Sequence, residues 1–229
     1  VTVNFKLHDI ETILDLIACA EFLVKYGFTS PRRLAVQGTS AGGIPSAGAM
    51  VRRPDLFAAI VPRVAVLDML RFEFAANGPA NVPEFGSVAT REGFEALRRM
   101  SAYHHVKDGT AYPAVLLTTG MNDPRVDPWQ AGKMAARLQA ASSSGKPVLM
   151  RVEWQGGHGQ GSTRTQREEE LADIYAFLLW QFGEDGFVPA EGGDALVGSA
   201  PAPAPSPSPS PAPAPAPAVA PVPAAAARP

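Results

Sequence analysis

The chain has 229 residues with a formal net charge of −2; 46% of the residues are hydrophobic and 18% are charged. This composition predicts a globular protein with one sizeable core, and the scattered Lys and Arg residues predict neither a nucleic-acid partner nor a membrane partner. The single cysteine, Cys19, excludes an internal disulfide, and its place in an apolar helical pattern predicts a buried, inert thiol. No apolar run reaches the roughly 18 residues that a membrane span requires.

The first residues of the chain carry charges such as Lys6 and Asp9 and do not resemble a signal peptide. Targeting signals could lie upstream, so the compartment stays open, with the cytoplasm favoured slightly over the periplasm. The chain begins at Val1 without a methionine and almost at once enters a helical pattern. We therefore expect that an upstream portion precedes it.

Helical and strand patterns alternate along the chain. The first helix is predicted over residues 9–26, with Asp9 as its cap and Gly27 as its end. Further helices are predicted from the turn after Ser40 to about residue 53, and over residues 92–100, 128–141 and 165–182. Strands are predicted near residues 34–37, 58–66, 114–119 and 148–154, and residues 71–88 predict an irregular loop over the active face. This alternation indicates an α/β domain, residues 1–185, with a mostly parallel sheet flanked by helices.

The C-terminal residues 186–229 have a different composition. Beyond Ser199 the chain is almost wholly Pro and Ala with a few Ser and Val residues, which provide no side chains for a core. They predict a disordered tail that acts as a spacer.

Ser40 is the first candidate for a catalytic residue. The apolar run from Leu34 leads into Gly38-Thr39-Ser40-Ala41-Gly42-Gly43, a Gly-x-Ser-x-Gly pattern typical of a tight strand-to-helix turn that exposes a nucleophilic serine. Glycines beside the serine allow a strained backbone and a close approach of strand and helix. The same string also occurs in ordinary glycine-rich turns, so on the string alone both interpretations stay open.

Two further residues complete a possible catalytic set. Asp123 and His158, like Ser40, each follow a predicted strand, and the loops at the carboxyl ends of parallel strands lie at the same edge of the sheet. The order Ser, Asp, His along the chain is that of α/β-hydrolases. In this interpretation His158 takes the proton of Ser40, Asp123 orients the imidazole, and the backbone N–H of Ala41 donates to the oxyanion.

Other residues compete for these roles. Asp68 follows a different strand, and Asp127 is placed to cap the helix that opens at Pro128. The adjacent pair His104 and His105 could indicate a metal, but neighbouring histidines point apart and no second ligand pair lies at helical spacing. We therefore predict no metal and no organic cofactor.

Several segments together resemble the peptidase domain of the prolyl oligopeptidase family over about residues 5–185. They are the segment from Tyr26 to the Ser40 turn, residues 54–57, residues 66–72, the Asn-Asp-Pro-Arg-Val turn at 122–126, and Gly157-His158-Gly159. The resemblance implies an α/β-hydrolase fold with Ser40, Asp123 and His158 as the triad and Ala41 as the oxyanion donor. It also implies that Arg125 contacts a backbone carbonyl of the substrate, whereas its alternative is a surface arginine that pairs with a carboxylate such as Asp127.

The sequence also departs from the family pattern. Ala41 stands where the family commonly has Asn, and Pro124 stands where it commonly has an acidic residue. The loop that aligns with the proline-stacking tryptophan has Asn81 near that position, so proline specificity does not follow; Phe85, Phe72 or Phe74 could line the pocket, or could pack in the core.

By the same resemblance, the N-terminal β-propeller and the early strands of the hydrolase sheet are absent from this chain. We therefore expect a partial sheet with an exposed edge through which chains associate. The sequence predicts a serine peptidase for short peptides. Its rivals are an esterase or acylaminoacyl-peptidase with the same triad, and an inactive remnant.

Overall fold

The computed structural model describes residues 10–159 and 163–189. Four strands form one parallel sheet in the order β1-β2-β3-β4, as the alternating pattern predicts. The strands are β1 Ala35–Thr39, β2 Ala59–Arg63, β3 Ala114–Gly120 and β4 Val148–Glu153. The α-helices are α1 Glu11–Lys25, α2 Gly43–Arg52, α3 Met69–Phe72, α4 Val82–Phe85, α5 Arg91–Met100, α6 Trp129–Ala141 and α7 Arg164–Phe182.

Helices cover both faces of the sheet. Side chains of Ile60, Val115 and Leu117 belong to a large core with residues of α1, α2, α5 and α6. The alternate residues of the same strands, such as Val61 and Leu116, pack against α7 on the other face. Strand β3 is consequently buried along its whole length, which its continuous apolar sequence predicts.

Strand β2 is shorter than predicted. It ends at Arg63 because Val64 adopts a φ of +40°, a left-handed conformation that is rare for a β-branched residue. The apolar pattern continues to Leu67, but the backbone leaves the sheet at Val64. The apolar pattern therefore predicts too long a strand. Side chains beyond β2 are buried in the core, but their residues do not belong to the strand.

The prediction that Cys19 is buried is wrong. Its buried side chains are Ile13, Ile17 and Ala20, and Cys19 lies away from this stripe and is exposed. Gly27, with a φ of +75°, follows the end of α1 as expected, whereas Asp9 lies outside the described residues.

The remaining boundaries differ only locally. Helix α6 begins at Trp129, so Pro128 occupies the N-cap position, and no side chain caps this helix, contrary to the prediction for Asp127. The predicted loop 71–88 contains the short helix α4 and a 3₁₀ turn, Pro79–Asn81.

The predicted Pro/Ala-rich tail lies, apart from residues 186–189, outside the described residues. Within residues 10–159 and 163–189, no helix is long and apolar enough to cross a membrane.

Candidate active site

Ser40 stands at the sharp turn between β1 and α2. Its φ is +57°, and Ser40–Gly42 form a single 3₁₀ turn before α2 begins. A Cβ atom on Gly38 would lie 2.2 Å from the carbonyl oxygen of Gly42, and one on Gly43 would lie 2.5 Å from the Cβ of Ala65. The close approach that the sequence predicts for the turn therefore depends on Gly38 and Gly43, whereas a Cβ on Gly42 would meet nothing within 4 Å.

Asp123 lies in the loop after β3, and its two carboxylate oxygens have different partners. Oδ1 accepts hydrogen bonds from the backbone N–H groups of Arg125 at 2.8 Å and Val126 at 2.9 Å. This is an Asx turn, and it directs Oδ2 towards the loop after β4. Pro124 has no N–H to donate, and the turn does not use that position, so this departure from the family pattern is accommodated.

His158 joins the other two residues. Its Nδ1 lies 2.7 Å from Oδ2 of Asp123, and its Nε2 lies 2.9 Å from Oγ of Ser40. A carboxylate only accepts, so Nδ1–H donates to Asp123 and the hydroxyl of Ser40 donates to Nε2. The Asp123 side chain is fully buried and that of His158 is 7% exposed. The described structure thus brings the three predicted residues into one hydrogen-bonded chain.

A cleft of about 140 Å³ opens beside Ser40. Besides Ser40, five residues singled out from the sequence line it, namely Ala41, Phe72, Asn81, Phe85 and Arg125. Other lining residues include Val66, Asn77 and Glu84.

The three phenylalanines suggested for the substrate pocket differ in position and burial. Phe85 is buried, meets Phe72 edge to face at a centroid distance of 6.0 Å, and both rings line the cleft while belonging to the core. Phe74 is exposed and lines a different cavity with Trp129. Of the three phenylalanines, two therefore combine both suggested roles.

The polar cleft residues have few partners. The Asn81 amide donates to the carbonyl oxygen of Asn77 at 2.7 Å. Arg125 forms no ion pair with Asp127 or with another carboxylate of the described residues, and its side chain is exposed at the cleft. Glu84 and Asn77 escaped the sequence analysis, because they lie in a stretch without periodicity or motif; only their proximity to Asn81 along the chain marks them.

The competing carboxylate Asp68 is occupied elsewhere. It is fully buried, caps α3 by accepting from the N–H groups of Leu70 and Arg71, and forms an ion pair with Lys133. Asp127 accepts from the N–H of Gln130 only through its backbone carbonyl.

The two adjacent histidines bond separately. Nδ1 of His104 lies 2.8 Å from Oγ of Ser101, and Nε2–H of His105 donates to the carbonyl of Arg98. Among the residues that the structure describes, no group of three His, Cys, Asp or Glu side chains is arranged to hold a metal ion.

Comparisons with known proteins identify the family of the chain. Residues 6–185 match the model of the prolyl oligopeptidase family. The chain is 39% identical over 170 residues to a prolyl endopeptidase of Elizabethkingia meningoseptica, an alignment that covers 74% of this chain and 24% of that protein. It is 37% identical over 167 residues to a prolyl endopeptidase of Dictyostelium discoideum, covering 72% of this chain and 22% of the relative.

Solved structures of prolyl endopeptidases and oligopeptidases are similar to this chain as well. A structure from a study of two prolyl endopeptidases matches with a TM-score of 0.72 and 37% identity, covering 75% of this chain and 25% of that one. Oligopeptidase B from Trypanosoma brucei with covalently bound antipain matches with a TM-score of 0.71 and 29% identity, covering 75% and 24%. The chain spans about a quarter of the length of these relatives. It adopts the α/β-hydrolase fold and belongs to the prolyl oligopeptidase family.

Proposed function

We propose that this chain carries the catalytic residues of a serine peptidase that hydrolyses peptide bonds of short peptides. The observation that carries the proposal is the continuous hydrogen-bonded chain from Asp123 through His158 to Ser40. Both nitrogens of the imidazole are used, one by the carboxylate and one by the hydroxyl. A serine hydroxyl is a poor nucleophile at neutral pH, and this arrangement supplies the base that it requires.

In the proposed reaction, Oγ of Ser40 attacks the carbonyl carbon of the scissile bond while its proton moves to Nε2 of His158. The tetrahedral intermediate collapses, the C–N bond breaks, and His158 gives the proton to the leaving amine. Water then attacks the acyl-enzyme with His158 again as the base, which releases the acid and regenerates Ser40. Asp123 stabilises the imidazolium in both steps without taking its proton.

Ala41 is proposed as an oxyanion donor. It follows Ser40 in the first turn before α2, where backbone N–H groups have no partner within the helix, and it lines the cleft. One such donor contributes about 3–4 kcal/mol to stabilising the transition state in other serine enzymes.

Arg125 is proposed to bind a backbone carbonyl of the substrate, since it is exposed at the cleft and not held by a carboxylate of the described residues. Asn81 and Phe85 are proposed to contact the side chain that precedes the scissile bond. A polar Asn81 stands where a tryptophan would stack on proline, so we propose that this pocket does not select proline strongly.

The test is to treat the chain with a fluorophosphonate probe and to locate the adduct by mass spectrometry. We expect one label per chain at Ser40, and no label in Ser40→Ala or His158→Ala. A folded sample that stays unlabelled would contradict the proposal and would favour an inactive remnant. Rates on p-nitrophenyl esters and on short peptides, measured on the same preparation before the probe is added, distinguish an esterase from a peptidase.

We also propose that two copies associate through the open edge of β1. The carbonyl of Leu34 accepts from the N–H of Ala58, so alternate residues face β2 and the backbone of Gln37 faces the open side. Unpaired strand edges are templates for pairing with another chain. Gln37→Pro removes the outward donor, and Gln37→Thr retains it; we expect only the first to shift sedimentation towards monomer. A wild-type chain that sediments as monomer at all concentrations would refute the proposal.

A further inference from the structure

A partly buried carboxylate lies behind the candidate active site and is not used by the proposed reaction. Glu170 of α7 has a side chain that is 17% exposed, and it accepts two hydrogen bonds from Arg63 at 3.1 and 2.6 Å. It also accepts a third, at 2.7 Å, from the hydroxyl of Thr118. Arg63 and Thr118 are opposite each other at the carboxyl ends of β2 and β3. One carboxylate thus joins the ends of the two central strands.

The strand end that Arg63 belongs to is connected directly to Ser40. The next residue, Val64, has a φ of +40°, and its N–H donates to the carbonyl of Thr118 at 2.8 Å. Two residues later the N–H of Val66 donates to the carbonyl oxygen of Ser40 at 3.0 Å. A β-branched residue with positive φ is strained, and such strain persists only where neighbouring contacts hold it. Arg63 directly precedes this turn and the carbonyl of Thr118 accepts from it, and the side chains of both residues bind Glu170.

The same carboxylate is connected to the other two candidate catalytic residues. Strand β3, which ends just after Thr118, leads into the loop of Asp123, and α7 follows the loop of His158. A small cavity of about 50 Å³ has His158, Arg63 and Glu170 in its lining. Glu170 therefore binds Thr118 of the strand that leads to Asp123, and it shares a cavity with His158 and with Thr39, the residue before Ser40.

Glu170 is charged at neutral pH. Burial works to raise its pKa, but hydrogen bonds from Arg63 and Thr118, together with the positive charges of Arg63 and Arg151, hold the pKa below the ordinary value of a glutamate. The other charged groups at this cavity are Arg151 and Glu153, and Arg151 is bound to Asp173 of α7 at 2.7 Å.

We propose that Glu170 is a positioning residue: through Arg63 and Thr118 it fixes the strained Val64 turn, and thereby the Ser40 carbonyl and hydroxyl, relative to Asp123 and His158. The proposal rests on the proposed function for its effect on rate. It is not a contact with substrate, because Glu170 lies behind His158 and does not line the cleft beside Ser40.

The test compares Glu170→Gln with the matched control Glu168→Gln. Glu168 lies on the same helix and forms an exposed ion pair with Arg164 at 2.7 Å, so the two variants remove the same charge from different surroundings. Saturation kinetics of fluorophosphonate labelling separate probe binding from the covalent step. We expect Glu170→Gln to lower the first-order labelling constant by about 10-fold to 100-fold with an unchanged half-saturating concentration. We expect Glu168→Gln to stay within about twofold of wild type, because surface ion pairs contribute little.

A second readout does not depend on chemistry. Hydrogen exchange followed by NMR reports the amide of Val66, which donates to Ser40, and the amide of Val115, which donates to Pro147 in the same sheet. We expect Glu170→Gln to accelerate exchange at Val66 about 10-fold or more while Val115 is unchanged. Equal protection of Val66 in the variant and in wild type would overturn the proposal. If the wild-type chain is not labelled at all, the proposed function fails, and exchange at Val66 still decides the positioning role.

The double variant Arg63→Met/Glu170→Met separates positioning from stability. Replacing a buried ion pair by apolar residues of similar size is often neutral or stabilising, whereas removing one partner is not. We expect the double variant to regain the melting temperature of wild type but to keep the lowered labelling constant. If labelling recovers together with the melting temperature, Glu170 serves stability alone and the positioning role is refuted.

Discussion

The described chain contains two sets of a serine, a histidine and a buried aspartate. In one, His158 lies between Asp123 at 2.7 Å and Ser40 at 2.9 Å, and each contact uses a different ring nitrogen. In the other, both contacts involve Nδ1 of His104: Ser101 lies 2.8 Å from it and Asp68 3.7 Å from it.

The two sets differ in the hydrogen-bond geometry around the histidine and in the charged partners of the aspartate. Ser101 is fully buried and accepts from the N–H of Met69, so its hydroxyl does not face a cleft. Asp68 is already compensated by Lys133. A serine, a histidine and an aspartate in contact are therefore not enough; the imidazole must take the hydroxyl proton on one nitrogen while the carboxylate holds the other. The following predictions test this comparison.

The largest difference is expected between the two serines. Ser40→Ala removes the proposed nucleophile, and we expect hydrolysis to fall by about 10⁶-fold, as in other serine peptidases that lose it. Ser101→Ala removes the hydrogen bonds of a buried hydroxyl, including the one from the N–H of Met69, and is expected to cost about 1–3 kcal/mol of unfolding free energy with little change in turnover of the folded fraction. Peptide hydrolysis and urea unfolding of both variants measure this. A comparable loss of turnover in Ser101→Ala would refute the distinction.

The two aspartates should differ next. Asp123→Asn keeps the shape but lets the amide favour the wrong tautomer of His158, and we expect turnover to fall by about 10⁴-fold. Asp68→Asn should leave the labelling of Ser40 intact while it lowers stability by about 1–3 kcal/mol, since Lys133 loses its buried partner but is itself 30% exposed. Labelling rates and denaturant midpoints of the two variants separate these effects. Normal turnover in Asp123→Asn would contradict the assignment.

The third prediction concerns Lys133, which forms the ion pair with Asp68 in the second set. Burial first, and Lys133 to a lesser degree, lower the pKa of His104, while Asp68 raises it. Lys133→Met should therefore raise the pKa of His104 and destabilise the fold by about 1–3 kcal/mol, because Asp68 remains buried and charged. NMR titration of the histidine ring protons follows the pKa. An unchanged pKa of His104 would show that Lys133 does not act on it.

The smallest effect is a pH dependence of stability. The pKa of His104 in the folded state lies below its ordinary value, so below about pH 6.5 the unfolded chain binds more protons and stability falls as the pH falls. His104→Asn should reduce this fall by a few tenths of a kcal/mol, because the side chain is partly exposed to solvent. Burial also lowers the pKa of His105, so part of the pH dependence of stability remains in this variant. Thermal unfolding between pH 8 and pH 5 measures it, and parallel curves for wild type and variant would be the contrary result.

Much of the fold could be predicted from the sequence because its signals are local. Apolar runs ending in glycine-rich or turn-forming residues marked the loops of Ser40, Asp123 and His158, and parallel strands place such loops at one edge. The helical face of Cys19 was mispredicted because its neighbours in sequence are apolar on more than one side of α1. The assignments of catalytic roles to these residues stay predictions until they are measured.

The parts that could not be predicted depend on contacts between distant segments. The apolar run from Phe57 to Leu67 does not indicate that Val64 turns out of the sheet, because the partners around this turn, Thr118 and Glu170, are distant in sequence. Likewise, Glu84 lines the cleft through the fold of the stretch around it and carries no pattern of its own.

The Asx turn at Asp123 has a consequence for how this site can diverge. The oxygen that does not face His158 is held by the N–H groups of residues 125 and 126, and any residue except proline supplies an N–H. The side chain at position 125 is therefore free to vary without disturbing the carboxylate. The substrate contact that we propose for Arg125 can therefore change over evolutionary time, or by directed evolution, while the backbone keeps the orientation of the acid.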